Sequence, residues 1–359
     1  MTTIVVARAP GRVNLIGDHT DYSGGLALPM AIDRDVSIRI TSSPSAGEGG
    51  EFTLTSDREP GLARFAIGDA SLDPASLAGM SPEWGRLAAA VFAAVGARRP
   101  GRAVTRSSIP VASGLSSSAA FEVALALALG AEPEPLPLAR LCRDAEHAAT
   151  GTPCGILDQL TSLAGVKGRA LLIDFQSESW EEVPVPEQAE IFVVDSGQRR
   201  RLNSSPYGQR RWELELAMAE IGPLRSARLS DLRGISDPIV RRRARHVITE
   251  NARVVAAAEA LRRGDLAELG ALLNEGQTSY ASDFGASTVP IDRLVERLNS
   301  QQGVRGARLT GGGFGGCVVA VADSGAFARC QEAGIFPGPA WIVTPSRGAF
   351  VDVVADEAS

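Results

Sequence analysis

Residues 110–129 read PVASGLSSSAAFEVALALAL, and they join a loop of small residues to an uninterrupted helix-forming segment. Each of the three serines at 116–118 can cap a helix, and no helix breaker follows before Leu129. The first N–H groups of a helix have no intrahelical acceptor, and the helix dipole adds about half a positive charge there. The stretch therefore predicts either a phosphate-binding helix start or an ordinary cap in a serine-rich loop.

The phosphate interpretation assigns a nucleotide to this loop. Gly114 permits close approach of the backbone, and serine hydroxyls can bind the Mg²⁺ that bridges nucleotide phosphates. A Walker A loop is excluded because its pattern needs a lysine beside the phosphates, whereas Lys167 lies far downstream. The nucleotide-binding residues predicted here are Ser113, Gly114, Leu115, Ser116, Ser117, Ser118 and Ala119.

Composition limits the class of protein. A length of 359 residues predicts two domains, and 44% hydrophobic with 22% charged residues is typical of a globular protein. The net charge of -6 argues against nucleic acid as the main partner. Four cysteines without paired spacing favour free thiols in a reducing cytosol. The first residues, MTTIVVARAP, resemble no signal peptide, and no apolar run reaches about 18 residues, so neither secretion nor membrane insertion is expected.

A dense polar segment, RVNLIGDHTDY, follows a short predicted strand at Thr3 to Ala7 and a predicted turn at residues 9–11. It spans residues 12–22 and contains one guanidinium, two carboxylates and an imidazole. A sugar or polyol needs such a density, because each desolvated hydroxyl left without a partner costs about 1–3 kcal/mol. A metal site and a purely structural polar turn are the alternatives.

A second glycine-rich motif, LTGGGFGGC, occupies residues 309–317. It fits G-x-G-x-x-G, but it runs into an apolar strand at Val318 to Ala322 and does not open a helix, which argues against a dinucleotide site. A loop that lets main chain approach a ligand explains the glycines better. The composition of the chain changes near residue 165, which predicts domains at residues 1–165 and 166–359.

Three motifs in order, PGRVNLIGDHTDYSGG, PVASGLSSSAA and LTGGGFGGC, closely resemble those of the galactokinases within the GHMP kinase superfamily. Further similarity lies at EHAATGTPCGILDQ and RLNSSPYGQRR. The resemblance implies an α+β fold with an N-terminal domain like ribosomal protein S5 and a C-terminal ferredoxin-like domain. It also implies an enzyme that uses ATP and Mg²⁺ to phosphorylate a hexose, galactose above all, at its anomeric hydroxyl. We expect this enzyme to be cytoplasmic and monomeric.

The resemblance also carries residue roles to matching positions. Arg12 and Asp158 match the family's catalytic pair, and Ser118 and Glu146 match its Mg²⁺ ligands. The positions that match sugar contacts are Asp18, His19, Asp21, Gly155 and Tyr207.

One departure concerns the sugar. The family usually has glutamate where Asp18 stands, so a GHMP kinase for a pentose, an amino sugar or a uronic acid is the first alternative. A sensor that binds sugar and ATP without turnover is the second. Damage to the serine-rich loop would be expected in a sensor, and the loop is intact here.

Overall fold

Mixed helices and sheets form the computed structural model, which describes residues 2–42, 50–110, 114–151, 154–199 and 206–357. The strands in these ranges are β1 (Thr2–Asn14), β2 (Leu26–Ala27), β3 (Pro29–Ser42), β4 (Glu51–Ser56), β5 (Leu62–Ala66), β6 (Gly101–Ser107), β7 (Arg169–Asp174), β8 (Ser179–Pro184), β9 (Ala189–Asp195), β10 (Val304–Leu309), β11 (Cys317–Asp323), β12 (Ala340–Ile342) and β13 (Phe350–Glu357). The predicted α+β class is confirmed.

The helices in the same ranges are α1 (Pro74–Ala78), α2 (Gly85–Val95), α3 (Ser117–Ala128), α4 (Pro135–Thr150), α5 (Leu157–Ala164), α6 (Pro206–Ile221), α7 (Pro238–Arg263), α8 (Leu266–Ser279), α9 (Val289–Asn299) and α10 (Ala326–Glu332). Helix α7 has a strong local code: the Asp237 side chain caps its first N–H groups, Pro238 opens it, and Gly264 ends it in a left-handed conformation. Helix α3 is apolar on nearly every face, and it is accordingly buried.

Three sheets organise the chain. Six strands follow the order β13-β1-β3-β6-β4-β5, four follow β10-β11-β9-β12, and three follow β2-β7-β8. The four-stranded sheet is built in the sequence β9, helices, β10, β11, α10, β12, which is the ferredoxin-like arrangement that the resemblance implied. One core packs the six-stranded sheet against α2 and α3, and a second covers the four-stranded sheet with α6, α7, α9 and α10.

Strand β1 is longer than predicted. The expected turn at residues 9–11 is wrong, because the strand continues to Asn14 with a register irregularity between Pro10 and Arg12. The neighbouring strand β13 pairs with β1 only as far as Arg8, so the missing N–H of Pro10 costs no hydrogen bond to that strand. This extension carries Arg12 on a sheet strand and not on a loop.

The division of the chain at residue 165 stays a prediction. Strands from both sides of that position share sheets, since β2 pairs with β7 and β1 pairs with β13. Within the described ranges, every helix is too short or too polar to cross a bilayer.

Candidate active site

A buried arginine and a partly open carboxylate form the centre of the site. The Arg12 Nε and Nη2 atoms donate to Asp158 Oδ1 and Oδ2, each at 2.7 Å, in a bidentate pair. The Arg12 side chain is 7% exposed and that of Asp158 is 33% exposed. The two residues predicted as the catalytic pair are therefore joined across 146 positions of sequence, with the carboxylate turned toward solvent.

The serine-rich loop is fastened to the same arginine. Arg12 Nη1 donates to the carbonyl of Gly114 at 2.8 Å, and the Arg12 backbone N–H donates to the carbonyl of Leu115 at 3.1 Å. Gly11 makes this approach possible, because a Cβ there would lie 2.6 Å from the Leu115 oxygen. Ser116 then donates its hydroxyl to Asp158 Oδ2.

The start of α3 lies just beyond this loop. Ser117 and Ser118 are exposed at the first turn, whereas Leu115 and Ala119 are buried and can offer only main-chain atoms to a ligand. The Ser116 side chain makes no cap hydrogen bond, so ordinary capping by this serine is wrong. Ser113 lies outside the described residues.

A group of polar side chains, of which Glu122 and Gln159 are buried, lies behind the α3 start. Ser118 Oγ donates to Glu146 Oε1 at 3.3 Å, which brings together the two predicted Mg²⁺ ligands. Gln159 uses its two amide hydrogens to reach Glu146 Oε2 at 3.0 Å and Glu122 Oε2 at 2.9 Å. Burial first, and then the charge of Asp158, raise the pKa of Glu146. Burial and Glu146 likewise raise the pKa of Glu122 far above its ordinary value.

Sequence reasoning missed Glu122 and Gln159. A signal for Glu122 was available, since it is the one charged residue in the apolar helix α3 and follows Ser118 by one helical turn. Gln159 directly follows Asp158 at the start of α5, but nothing in its local pattern indicates which carboxylates it contacts.

A second set of residues surrounds the open side of Asp158. A Cβ at Gly155 would lie 1.9 Å from Asp21 Oδ2, so the carboxylate of Asp21 packs directly on the glycine backbone. Burial and the nearby charge of Asp158 raise the pKa of Asp21 from 3.8 to about 6. Burial and Asp21 also raise the pKa of Tyr207 well above 10.0. Three of the predicted sugar positions, Asp21, Gly155 and Tyr207, are thus neighbours of the catalytic pair.

The other two predicted sugar positions contact protein. Asp18 Oδ1 accepts from Asn14 Nδ2 at 3.0 Å and from the Gly311 backbone N–H at 2.8 Å, and Asp18 Oδ2 accepts from Arg308 Nη2 at 3.0 Å. The whole residue is 4% exposed. Burial raises the pKa of Asp18, with Arg308 opposing that effect.

His19 bridges the polar segment to the second glycine-rich motif. Its Nε2 lies 3.2 Å from the carbonyl of Gly312, and its Nδ1 lies 2.7 Å from the Tyr22 hydroxyl. Because a carbonyl can only accept, Nε2 carries a proton, and in the neutral ring Nδ1 accepts from the Tyr22 hydroxyl. The His19 ring also packs 4.9 Å from that of Tyr207, which joins it to the sugar-side residues.

Arg308 is the largest fully buried side chain, and it was not predicted. It donates to Glu250 Oε1 at 2.6 Å as well as to Asp18. Burial alone would raise the pKa of Glu250, but the positive charge of Arg308 holds it far below the ordinary value. Glu250 also accepts from the Gly17 backbone N–H at 3.1 Å. This network ties α7 and β10 to the polar segment of residues 12–22.

The glycine-rich motif joins β10 to β11 in an antiparallel pair, which agrees with the exclusion of a dinucleotide site. Its glycines let the main chain of the motif pack closely against carbonyl groups of neighbouring segments. A Cβ at Gly313 would lie 2.7 Å from the carbonyl of Ala286, and one at Gly315 would lie 2.7 Å from that of Gln198. Thr310 and the polar segment are joined directly, since the Thr310 hydroxyl donates to the Asn14 carbonyl at 2.8 Å.

A metal site built from histidines near residue 19 is not supported. Within the part of the chain that the structure describes, no three His, Cys, Asp or Glu side chains are grouped so that they could hold a metal ion by themselves. A magnesium ion brought with a nucleotide needs fewer protein ligands, because phosphates and waters complete its coordination.

Three family models match the sequence, one after another along the chain. The galactokinase galactose-binding signature matches residues 2–41, the GHMP kinases N terminal domain matches residues 85–166, and the GHMP kinases C terminal matches residues 257–336. The first match contains Arg12, Asp18 and Asp21, and the second contains the serine-rich loop and Asp158.

Relatives and solved structures agree with these matches. Galactokinase of Homo sapiens is 40% identical over 334 residues, which is 89% of this chain and 83% of the human one. Galactokinase of Chloroflexus aurantiacus is 38% identical, over 88% of this chain and 83% of its own length. The crystal structure of Lactococcus lactis galactokinase complexed with galactose is similar with a TM-score of 0.86 and 26% identity, covering 97% of this chain and 95% of that chain.

More distant structures share the fold alone. The mevalonate kinase of Methanococcus jannaschii is similar with a TM-score of 0.67 at 18% identity, over 95% of this chain and 98% of that chain. The chain matches the galactokinase signature and is about 40% identical to galactokinases over most of their length. The chain therefore belongs to the galactokinase family of the GHMP kinases.

Proposed function

We propose that this protein transfers the γ-phosphoryl group of ATP to the anomeric hydroxyl of galactose. The observation that carries the proposal is the Arg12–Asp158 pair, which lies between the serine-rich helix start on one side and Asp21 with Gly155 on the other. Phosphoryl transfer depends on positioning and on charge stabilisation more than on covalent chemistry by the protein. A pair held between a phosphate-binding element and a hydroxyl-binding element meets that need.

Asp158 orients the attacking hydroxyl and receives its proton as the new P–O bond forms. Its carboxylate is fixed by three donors and is still one-third exposed, so a sugar hydroxyl can reach it. Arg12 stays protonated and balances the negative charge that collects around the transferred group. The roles are proposed for these residues on the family resemblance and on this geometry together.

The nucleotide phosphates bind at the start of α3. The exposed serines 117 and 118 and the main-chain N–H groups of the first turn face the position that phosphate oxygens would take. The donor set fits a hard cation, since the Ser118 hydroxyl and the Glu146 carboxylate are hydrogen-bonded to each other at 3.3 Å. Ser118 and Glu146 would hold Mg²⁺, whose charge offsets that of the phosphates when it is bound.

The sugar is held mainly by Asp21, Gly155 and Tyr207. Asp21 accepts hydroxyl hydrogen bonds, the Gly155 backbone lets the ring lie close to Asp21, and Tyr207 supplies a ring face and a hydroxyl. Asp18 and His19 complete the sugar site from behind, because most of their hydrogen-bonding capacity is taken up by protein partners. This division explains how aspartate can stand where relatives have the longer glutamate.

The test is ADP release in a coupled assay across a panel of sugars with the full-length protein. Galactose should give the highest kcat/KM. Because Asp18 already has three protein donors, 6-deoxygalactose should lose less than the tenfold that a direct desolvated contact typically contributes. An amino sugar or a uronic acid that exceeds galactose tenfold would move the assignment to another sugar kinase. Binding of sugar and ATP without any ADP release would establish a sensor instead.

The proposal includes a monomeric cytoplasmic enzyme without a nucleic-acid partner. All four cysteines are free, and three of them are buried, which suits a reducing compartment. The net charge of -6 disfavours polyanions. Light scattering after gel filtration should give a mass near 37.5 kDa, and a dimer mass would contradict the monomer.

A further inference from the structure

Ser116, the residue just before α3, makes an unusual side-chain hydrogen bond. Ser116 occupies the N-cap position, where serine ordinarily accepts a hydrogen bond from the N–H two or three residues later. Its side chain makes no such bond and donates to Asp158 Oδ2 instead. The first turn of α3 therefore keeps its N–H groups free of that serine, and the catalytic carboxylate gains a third donor.

The backbone of Ser116 is also constrained. It adopts φ 59° and ψ 49°, a left-handed conformation that is unfavourable for a residue with a Cβ. Such conformations persist only where the surroundings impose them, and they are concentrated at functional sites. Here the surroundings are the two preceding carbonyls, those of Gly114 and Leu115, which both accept hydrogen bonds from Arg12.

The contacts close a ring. Arg12 fixes the loop through its carbonyls, the loop turns Ser116 toward Asp158, and Asp158 returns to Arg12 through the bidentate pair. Asp158 thus contacts both Arg12 and Ser116 directly, and Arg12 acts on Ser116 through the two loop carbonyls. In contrast, Ser117 is exposed, and Ser118 contacts Glu146. The serine run therefore divides into one residue that faces the catalytic pair and two that face the nucleotide side.

We propose that Ser116 is a positioning residue for Asp158 and not a phosphate ligand. Its hydroxyl gives the carboxylate a third hydrogen bond, so the rotation of the carboxylate is fixed more tightly than by the guanidinium alone. The open lone pairs of the carboxylate then face the sugar hydroxyl. This inference rests on the proposed phosphoryl transfer. It predicts that loss of the hydroxyl lowers turnover and leaves nucleotide affinity unchanged.

The experiment compares two substitutions at Ser116 with one at the neighbouring serine. Ser116→Gly accepts the left-handed backbone and removes the hydroxymethyl side chain, and with it the hydrogen bond to Asp158. We expect kcat to fall about 10- to 100-fold, as misplacement of a reacting group by about 1 Å can do, while KM for MgATP stays within about twofold of wild type. Ser117→Ala should show the opposite pattern, with a raised KM for MgATP and a smaller change in kcat.

A second variant controls for folding and for strain. Ser116→Asn tolerates the left-handed conformation and carries an amide donor, so it should recover part of the turnover that Ser116→Gly loses. Unfolding temperatures of all three variants establish that each is folded.

Two results would overturn the inference. The first is a tenfold rise in KM for MgATP with unchanged kcat in Ser116→Gly, which would make Ser116 a phosphate ligand. The second is wild-type kinetics in that variant, which would remove any role. Absence of galactose phosphorylation by the wild-type protein would instead refute the proposed function, so the two failures are distinct.

Discussion

At the scale of single residues, the proposed chemistry uses two carboxylates whose environments differ. Asp158 is held by Arg12 in a bidentate pair, whereas Asp21 has no arginine partner among its described contacts and lies against the backbone of Gly155. The charge of Asp158 acts on Asp21 and contributes to its raised pKa of about 6. Environments that separate two carboxylates in this way are typical of active sites.

The first prediction concerns Asp158. Asp158→Asn keeps the shape of the side chain but removes its charge and its ability to take a proton, so kcat should fall by about 10²- to 10⁴-fold. Galactose binding, measured by calorimetry, should be retained because Asp21, Gly155 and Tyr207 are unchanged. Turnover within twofold of wild type would exclude Asp158 from the chemistry.

The second prediction concerns the ionisation of Asp21. Its pKa of about 6 lies above the ordinary 3.8, so the free enzyme protonates Asp21 as the pH falls below about 6 and loses a hydroxyl acceptor. The value of kcat/KM for galactose should therefore decline below about pH 6, since that quantity reports the free enzyme. Asp21→Asn should have a lower kcat/KM for galactose than wild type, and that value should no longer decline below about pH 6.

The same shift has a consequence for stability with a definite sign. A carboxyl group whose pKa is raised by folding favours the folded state at low pH, and that contribution is lost as the pH rises through about 6. Asp21→Asn should consequently raise the unfolding temperature more at pH 8 than at pH 5. Equal changes at both values would show that Asp21 titrates in its ordinary range.

At the scale of elements, two helix starts place the residues proposed to act in phosphoryl transfer. Helix α3 begins at the serine-rich loop, and α5 begins next to Asp158, the second residue of that helix. Both helices pack on β1, the strand that carries Arg12. The site therefore arises where two helix N-termini meet one strand, and small residues at each start allow the close approach.

Helix α3 carries the third prediction. Ser118→Ala removes one of the two groups proposed to hold Mg²⁺, so the concentration of Mg²⁺ that gives half-maximal turnover should rise several-fold. Ser108→Ala is the control, because the Ser108 hydroxyl donates to the Asp35 carbonyl and touches none of the proposed ligands. An unchanged Mg²⁺ dependence in Ser118→Ala would contradict this assignment.

The fourth prediction concerns the approach to α5. Gly155→Ala would place a methyl group within 1.9 Å of Asp21 Oδ2, so Asp21 must move and KM for galactose should rise at least tenfold. Gly208→Ala is a matched control beside the predicted sugar residue Tyr207, since a Cβ there meets nothing within 4 Å. If both variants bind galactose like wild type, Asp21 has no part in sugar recognition.

At the scale of the whole molecule, a buried network joins the two halves of the chain. Arg308 and Asp18 are 290 positions apart, and Arg308 also neutralises Glu250 on α7. All three side chains are nearly or fully buried, so Asp18 depends on Arg308 for compensation of its charge, whereas Glu250 is compensated by Arg308 and Arg253 together. The network fixes the glycine-rich motif against the polar segment and thereby supports the proposed sugar site from behind.

The fifth prediction tests that network. Arg308→Met should lower the free energy of unfolding by about 3–5 kcal/mol, because it leaves the buried carboxylate of Asp18 without its cation and leaves Glu250 with Arg253 alone. Arg305→Met is the control: its ion pair with Asp323 is exposed, and its loss should cost about 0–1 kcal/mol. Chemical denaturation of both variants gives the comparison, and equal values would contradict a stabilising role for the network.

The sequence by itself determined the family, the order of the motifs and the elements that adjoin two of them. Helix α3 lies within the segment predicted to be helical, because no helix breaker stands before Leu129. Strand β11 contains the apolar strand predicted at Val318 to Ala322. The pairing of Arg12 with Asp158 also followed from the sequence, but only through the resemblance. Local patterns carry this information because hydrogen bonding and amphipathicity act over a few residues.

The tertiary structure alone decided how those residues share their partners. The sequence could not indicate that β1 runs through Pro10, since that depends on where β13 stops pairing. Nor could it indicate that Ser116 turns to Asp158, 42 positions away, or that Asp18 and His19 face the glycine-rich motif, where the partner of each lies 293 positions away. Such contacts arise when distant segments bury their polar groups together and each buried group must find a partner in three dimensions.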